Sequence, residues 1–427
     1  MLGNSRSHGL WQKTAPVAPA TSVLDQRLLA DVVVVGAGYT GLSAALHLAE
    51  TGLSVVILEA VEAGFGGAGR NVGLINGGMW VMPDDVPKVL GAEHGERALQ
   101  QLGQAPLLVR EVIEKHRIEC ELQTNGTLHL AVGAQGLQEL RDRHRQWAAR
   151  GAPVELLDAS ETQARVGSSA YAGSLFDPRA GTLQPLAYAR GLAHAAIHAG
   201  ARLFTSSAVV DARKDGEDWL VETARGSVSC QWVIVATDAY STGPWQRVRQ
   251  EQVHLPYFNF ATAPLGDNLR HSILPNREGC WDTKEILSSF RMDQAGRLVF
   301  GSVGALRNTG AAVHRAWAKR SLKRLFPQLG TIEFEAEWYG QIGMTNDAVP
   351  RFHKFDTRVV GFSGYNGRGI APGTTFGKTL ADLVLGKITE EELPLPLSEP
   401  EAVPFRAIKE AYYEMGAQIA HLTENRF

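Results

Sequence analysis

Four consecutive β-branched residues, Val32 to Val35, begin the most regular pattern in the chain. An unbroken apolar run of this kind predicts a strand buried on both faces, as in a parallel sheet. Leu42, Ala45, Leu46 and Ala49 then recur at helical spacing, so one helix face packs on that sheet. Gly52 is positioned to stop the helix, and residues 55–58 form a second apolar strand. The unit is βαβ. Beyond it, residues 91–150 read as helical, with Ala105, Leu108 and Val112 on one face and Leu137, Leu140 and Trp147 on another. A strand over 128–132 falls between the two helices, and the charged run 141–145 is expected on a solvated helix face. Asp158 and Glu161 have capping-box spacing. A helix after Pro185 precedes short strands at 201–204 and 208–210, a hairpin over 219–230, and a buried strand over 232–236.

From about 251 to 334 the pattern changes to strand-like runs separated by polar turns, with a basic helix near 316–326, which predicts a separate antiparallel sheet. The chain then returns to a strand, a glycine loop and a helix over 358–383. The predicted class is α/β. One Rossmann-like nucleotide-binding domain is assembled from 1–90, 151–250 and 335–427, and an inserted α+β substrate domain from 91–150 and 251–334.

Glycines add chemistry to this frame. Gly36, Gly38 and Gly41 follow the first strand in GxGxxG spacing. The first permits the tight turn, the second a close approach of backbone to a pyrophosphate, and the third close helix–strand packing. Glu59 ends the second strand, 18 residues after Gly41, where an acid accepts ribose hydroxyls and disfavours a 2′-phosphate. The glycine-dense loop from Gly64 to Gly78 contains Gly69, Arg70, Asn71 and Gly73; so much bare backbone suits a large flat ligand. Val210, Ala236 and Thr237 form a second nucleotide-facing edge. Gly364, Asn366, Gly367 and Arg368 lie in a loop that runs into a helix, whose N-terminus stabilises negative charge.

Composition narrows the class. The chain has 427 residues, 44% hydrophobic and 20% charged, with a net charge of −3, which suits a multidomain globular enzyme and disfavours nucleic acid as a partner. Cys120, Cys230 and Cys280 are scattered, as expected for a reducing, cytoplasmic setting. There is no apolar run long enough for an integral membrane segment. Arg6 and His8 precede no apolar core of a secretory signal, and 12–22 reads as an extended arm. No HExxH, Cys/His metal spacing or GxSxG elbow occurs, so no metal is expected.

The GxGxxG unit with Glu59, the Gly69-Arg70-Asn71-x-Gly73 loop, the Ala236-Thr237 turn and the Gly364-Tyr-Asn-Gly-Arg368-Gly loop together resemble FAD-dependent amine and amino-acid oxidoreductases of the D-amino-acid oxidase/glycine oxidase superfamily. The resemblance is strongest to the branch with γ-glutamylputrescine, L-pipecolate and iminodiacetate oxidases, and spans about residues 10–385. It implies that Gly36, Gly38, Gly41 and Glu59 hold the ADP part of FAD. It implies that Arg70, Asn71 and Gly73 flank the flavin, and that 364–368 sit beside its pyrimidine ring. Two departures stand out. The segment 340–345, where glycine oxidase carries a carboxylate-binding arginine, has none. The last cysteine is Cys280, so the late cysteine to which sarcosine oxidase joins its flavin is missing and FAD is expected to be non-covalent.

The expected reaction is oxidation of a C–N bond in an amine or amino/imino acid, with oxygen as the second substrate. Arg368 and Arg70 are the candidate anchors or charge stabilisers, and Lys284 the candidate base for oxygen activation. Tyr257, Trp281, Tyr339 and Tyr365 are candidate walls. Two rivals are a flavin dehydrogenase that passes electrons to a carrier and an NAD-dependent dehydrogenase or binding module; the second glycine loop argues against the latter.

Overall fold

In a computed structural model, which describes residues 8–423, the chain forms two large sheets side by side. The first has the order Leu397–Ser398, Arg351–Asp356, Val359–Ser363, Ser227–Val235, Arg27–Val35, Val55–Leu58, Arg202–Phe204, with a hairpin of Val209–Asp215 and Asp218–Thr223 joined to Ser227–Val235. Strands 27–35, 55–58, 227–235 and 359–363 are parallel. Alternation along the first strand sends Val32 and Val34 to one side, against the helices Tyr39–Ala49, Ala92–His116, Pro185–His198 and Ile370–Val384. Val33 and Val35 go to the other, against Trp219, Val221 and Trp245. Both faces are covered, as the continuous valine run requires.

The second sheet has the order Phe334–Met344, Val253–Pro264, Arg297–Val303, Ser288–Met292, Gly279–Asp282, Thr127–Leu130, Ser174–Asp177, Glu155–Leu157. All its pairings are antiparallel except 279–282 with 127–130. Phe258, Phe260, Phe290, Phe300 and Trp317 fill the core beneath it.

Several boundaries move relative to the sequence reading. Strands 155–157 and 174–177, expected with the nucleotide fold, pair into the second sheet, as does 334–344. Hydrogen bonding to 127–130 and 253–264 decides their membership, and no local pattern in those segments reports it. Helix Ala92–His116, expected in the inserted domain, buries Leu99, Leu102 and Val109 in the same core as Val32 and Leu42. The C-terminal helix Arg406–Thr423 packs on strand 253–264 of the second sheet. Residues 227–235 form one long strand where two were expected, because one strand can pair with the hairpin at its start and with 359–363 at its end. The arm begins with a short helix, Leu10–Thr14, whose Trp11 is fully buried against Trp338; Arg6 lies outside the described residues. In the charged run 141–145, Arg143 is buried rather than solvated.

Candidate active site

The parallel strands end at a common edge, and their carboxyl ends deliver Gly36, Glu59, Ala236 and Gly364 to one region. Such a crevice is where open α/β sheets bind ligands. A cavity of about 530 Å³ runs from there to the second sheet. One end is walled by Glu59, Ala208 and Val209, the middle by Gly36, Gly38, Asn71 and Arg70, and the far end by Trp80, His129, Tyr257, Trp281 and Arg368.

The dinucleotide end is built tightly. Gly36 has φ 104°, and a Cβ there would lie 2.6 Å from the carbonyl oxygen of Ala236. At Gly41 a Cβ would lie 2.0 Å from the carbonyl oxygen of Gly36. Gly38 is different: the nearest atom to its Cβ would be 3.9 Å away, so the space there belongs to the cavity. Gly38 caps helix Tyr39–Ala49 without any side-chain hydrogen bond, which leaves the helix N-terminus open to an anion. The Glu59 carboxylate accepts the amide N–H of Ala37 at 2.8 Å and that of Val61 at 2.9 Å. Burial raises its pKa and these amides draw it back. An acid, an open helix end and bare glycine backbone in line fit the ribose and pyrophosphate of an adenine dinucleotide.

The glycine loop is stapled from within. Asn71 donates its amide to the carbonyls of Gly67 and Ala68, both at 3.0 Å, and its Oδ1 accepts the N–H of Gly73 at 2.9 Å. Trp11 Nε1 donates to the Asn71 carbonyl at 2.9 Å, so the N-terminal arm locks the loop from behind. Arg70 is buried, its guanidinium 4.3 Å from the ring centre of Phe65, while its carbonyl accepts from Trp338 Nε1 at 3.0 Å. The loop at 364–369 is held similarly. Asp238 Oδ1 accepts the N–H of Gly364 at 2.8 Å, and Asn366 Oδ1 accepts the N–H of Thr345 at 2.8 Å.

At the far end Arg368 is 8% exposed. Its guanidinium carbon lies 4.6 Å from the ring centre of Trp80 and 5.6 Å from that of Trp281, and Nη1 donates to the Gly77 carbonyl at 2.9 Å. Its Nε has no hydrogen-bond partner among the described residues. Burial, and then the neighbouring charge of Arg143, lower its pKa; a guanidinium still stays protonated in the neutral range. His129 stacks on Trp281 with ring centres 4.9 Å apart. Burial, Arg143 and Arg368 hold its pKa well below the usual imidazole range, so the ring is neutral. Arg143 Nη2 donates to the Trp80 carbonyl at 2.8 Å and lies 3.5 Å from Glu139.

Of the residues predicted from sequence, Gly36, Gly38, Glu59, Arg70, Asn71, Ala236, Thr237, Asn366, Gly367, Arg368 and Lys284 line this one cavity. Gly41, Gly69, Gly73 and Gly364 stand behind the wall, where they set loop and helix geometry. Val210 does not line it: the strand runs Val209–Asp215, alternation turns Val209 inward and Val210 to solvent at 56% exposure, and Ala208 and Val209 line the cavity instead. Tyr257, Trp281 and Tyr365 are walls; Tyr339 packs against the core of the second sheet. His129, Arg143 and Glu139 were missed. A signal existed for Arg143, since Leu140, Arg143 and Trp147 share one helix face.

A Rossmann-type sheet whose carboxyl-edge cavity runs into an aromatic, arginine-bearing pocket defines a dinucleotide-dependent redox enzyme. Residues 31–383 match the family described as FAD dependent oxidoreductase (DAO), and the chain belongs to that family. It is 31% identical to the γ-glutamylputrescine oxidoreductase of Escherichia coli, over 92% of this chain and 94% of that protein. It is 30% identical to the probable oxidoreductase OrdL of Haemophilus influenzae, over 91% and 90%. The fold is similar to that of glycine oxidase from Geobacillus kaustophilus, with a TM-score of 0.68 at 23% identity, covering 85% of this chain and 96% of that one. Iminodiacetate oxidase from Chelativorans is similar at TM-score 0.68 and 18% identity, covering 87% and 100%. The chain is thus an FAD-dependent oxidoreductase, and the acid, glycines and open helix end above fit that cofactor.

Proposed function

We propose that the protein oxidises the C–N bond of an amine carrying a carboxylate, such as an amino acid, an imino acid or an amine conjugate of one, to the imine. Oxygen is the proposed acceptor and hydrogen peroxide the second product. The observation that carries this reading is Arg368, a buried cation facing the aromatic end of the cavity with an unpartnered Nε. A fixed guanidinium in an apolar setting favours an anion, and a carboxylate matches its fork. The names of the relatives, which include γ-glutamylputrescine oxidoreductase and glycine oxidase, support an amine donor.

Bound FAD supplies the two-electron acceptor. The protein's own groups would act around it. Trp80 and Trp281 hold the Arg368 guanidinium from two sides, so that it meets the carboxylate without reorganisation. Neutral His129 adds no competing charge beside Trp281. The N-terminus of helix Ile370–Val384, uncapped by any side chain, favours negative charge developing at the loop. Overall, the carbon gives up a hydrogen with its electron pair and the nitrogen gives up a proton. Oxygen takes two electrons and two protons, a step in which Lys284 on the cavity wall is the proposed oxygen-activating base. Three buried free cysteines are consistent with a cytoplasmic site of action.

Peroxide release from a panel of amines with and without a carboxylate tests the proposal. Turnover should favour the carboxylate-bearing amines. Arg368→Lys should raise KM for them about 10–100-fold, the ratio that corresponds to losing a charged hydrogen-bonded contact of about 1.5–3 kcal/mol. Reduction of the flavin by amine without peroxide in air would instead indicate an electron carrier as acceptor. Failure of every amine to reduce the flavin would overturn the substrate class.

A further inference from the structure

The C-terminal helix Arg406–Thr423 has an anchored face and a bare one. Toward the protein, Ala417 and His421 are buried. His421 stacks on Trp317 with ring centres 3.8 Å apart, and its Nδ1 lies 2.8 Å from Nδ1 of His314. Arg320 Nη2 donates to the His421 carbonyl at 2.7 Å, Arg307 Nε donates to Glu414 at 2.9 Å, and Glu410 accepts the N–H of His254 at 3.1 Å. This side of the helix is fully engaged with the second sheet and its covering helix Thr309–Leu325.

The outer side carries Ile408, Tyr412, Met415, Ile419 and Leu422, preceded by Phe405, at exposures from 55% to 77%. Their spacing alternates three and four residues throughout, which is the a/d repeat of a helix–helix seam. Tyr413, 46% exposed beside Tyr412, is the one large exposed apolar side chain of the helix off this repeat; a stripe otherwise held to a and d is narrower than the face a helix turns to a globular core. Exposed apolar stripes of this extent mark an interaction surface. The helix also lies outside residues 31–383, the part of the chain that matches the family.

We propose that this stripe pairs with the same helix of a second copy of the chain, antiparallel, to form a two-fold dimer. Antiparallel pairing about the midpoint of the stripe sets Phe405 against Leu422, Ile408 against Ile419, and Tyr412 against Met415 of the other copy. The two outer layers and the two central ones therefore match a larger side chain with a slimmer one, and each central layer joins a thioether to an aromatic ring. The flanking positions Ala411, Gly416 and Gln418 are small or uncharged. The one flanking charge, Lys409, lies on the side of the seam where antiparallel pairing brings Gly416 of the other copy, so the two copies meet without like-charge repulsion. Opposed helix dipoles also favour this direction. At these exposures the six side chains present roughly 500–600 Å². With the flanks, that approaches the ~800 Å² per partner of a standard interface. A lipid surface is the poorer occupant: membrane-lying helices carry a lysine- and arginine-rich border, and here the stripe is bordered by Lys409 alone.

Sedimentation velocity of the full-length holoprotein at micromolar concentration should give the mass of two chains. Met415→Glu puts two carboxylates at the centre of the seam and should give the mass of one chain, with far-ultraviolet circular dichroism and flavin content unchanged. Ile408→Lys should also dissociate the dimer, and adding Ile419→Glu should recover it, because the two positions face each other only in the antiparallel register. A wild-type protein of single-chain mass, or a dimer that survives Met415→Glu, overturns the proposal. So does co-sedimentation of wild type with phosphatidylcholine/phosphatidylglycerol vesicles that Met415→Glu abolishes. A double variant that stays dissociated overturns the antiparallel pairing.

Discussion

Glu59 does two jobs with one carboxylate. Its oxygens hold the amides of Ala37 and Val61, which fix the glycine turn and the chain leaving the second strand. The same group lines the cavity where ribose is expected. Glu59→Ala would therefore disturb the turn as well as the ligand contact. Glu59→Gln is the cleaner change, because it keeps the shape and removes the charge. An amide accepts through one atom only, so it cannot satisfy both N–H groups and also receive two ribose hydroxyls. Losing charge-assisted hydrogen bonds of about 1.5–3 kcal/mol should weaken FAD binding about 10–100-fold. Titration of apo-protein with FAD, followed by flavin fluorescence quenching, checks this. Equal affinity for both proteins would mean that the carboxylate serves the turn alone. At this scale the sequence was readable where a residue's type is dictated by local geometry, as with Gly36 and Glu59. It was silent where burial comes from a distant element. Arg143 looks like one more charge in a charged run, and only the approach of the Met79–Trp80 backbone makes it an interior residue.

At the scale of elements, the βαβ unit separates two roles that the glycine fingerprint combines. Gly41 is a packing glycine, since a Cβ there would lie 2.0 Å from the Gly36 carbonyl oxygen and 3.1 Å from a methyl of Val34. Gly38 has open space beside it, on the cavity side, as the proposed ligand role requires. Gly41→Ala should therefore force the helix off the strand. Overpacking costs about 1–3 kcal/mol and more when the clash is with backbone, so the apo-protein itself should melt several degrees lower. Gly38→Ala adopts an extended conformation that alanine tolerates, with φ −89° and ψ −171°. Its apo-protein should melt as wild type does, and only the rise in melting temperature on adding FAD should shrink. Thermal melts of both variants with and without FAD make the comparison; equal destabilisation of the two apo-proteins would contradict it. The unit was legible because strand, turn, helix and acid are all local. The membership of 155–157, 174–177 and 334–344 in the second sheet was not, because pairing partners such as Phe258 and Tyr339 are some eighty residues apart in the chain and alternation is the same whichever sheet receives it.

For the whole molecule, buried imidazoles couple stability to acid. His8 beside the glycine loop, His314 under the C-terminal helix, and His353 one strand in from the edge of the nucleotide sheet are each at most 1% exposed. Burial is the first cause in all three, and each pKa is lowered from 6.5 to about 4. In the unfolded chain these rings titrate near 6.5. A lowered folded pKa means that the unfolded state binds more protons throughout the interval between the two values, so stability falls as pH drops from about 6.5 toward 4 and levels off for these groups below it. Above 6.5 all three are neutral in both states and contribute no slope. Each can contribute up to about 1.4 kcal/mol per pH unit inside the window. Three acting together remove a large part of a stability that is typically only about 5–15 kcal/mol. They sit in different regions, beside the glycine loop, under the C-terminal helix and within the first sheet, so no single local opening relieves them all. The melting temperature should be nearly flat from pH 7 to 8 and fall steeply from pH 6 to 4.5. His314→Gln should make that fall shallower and lower the plateau, since glutamine carries no titrating proton but packs less well against Phe258, which stacks on the His314 ring with centres 4.9 Å apart. Calorimetric melts across this range give both numbers. An unchanged slope in His314→Gln would mean that carboxylates, not this imidazole, set the acid limit.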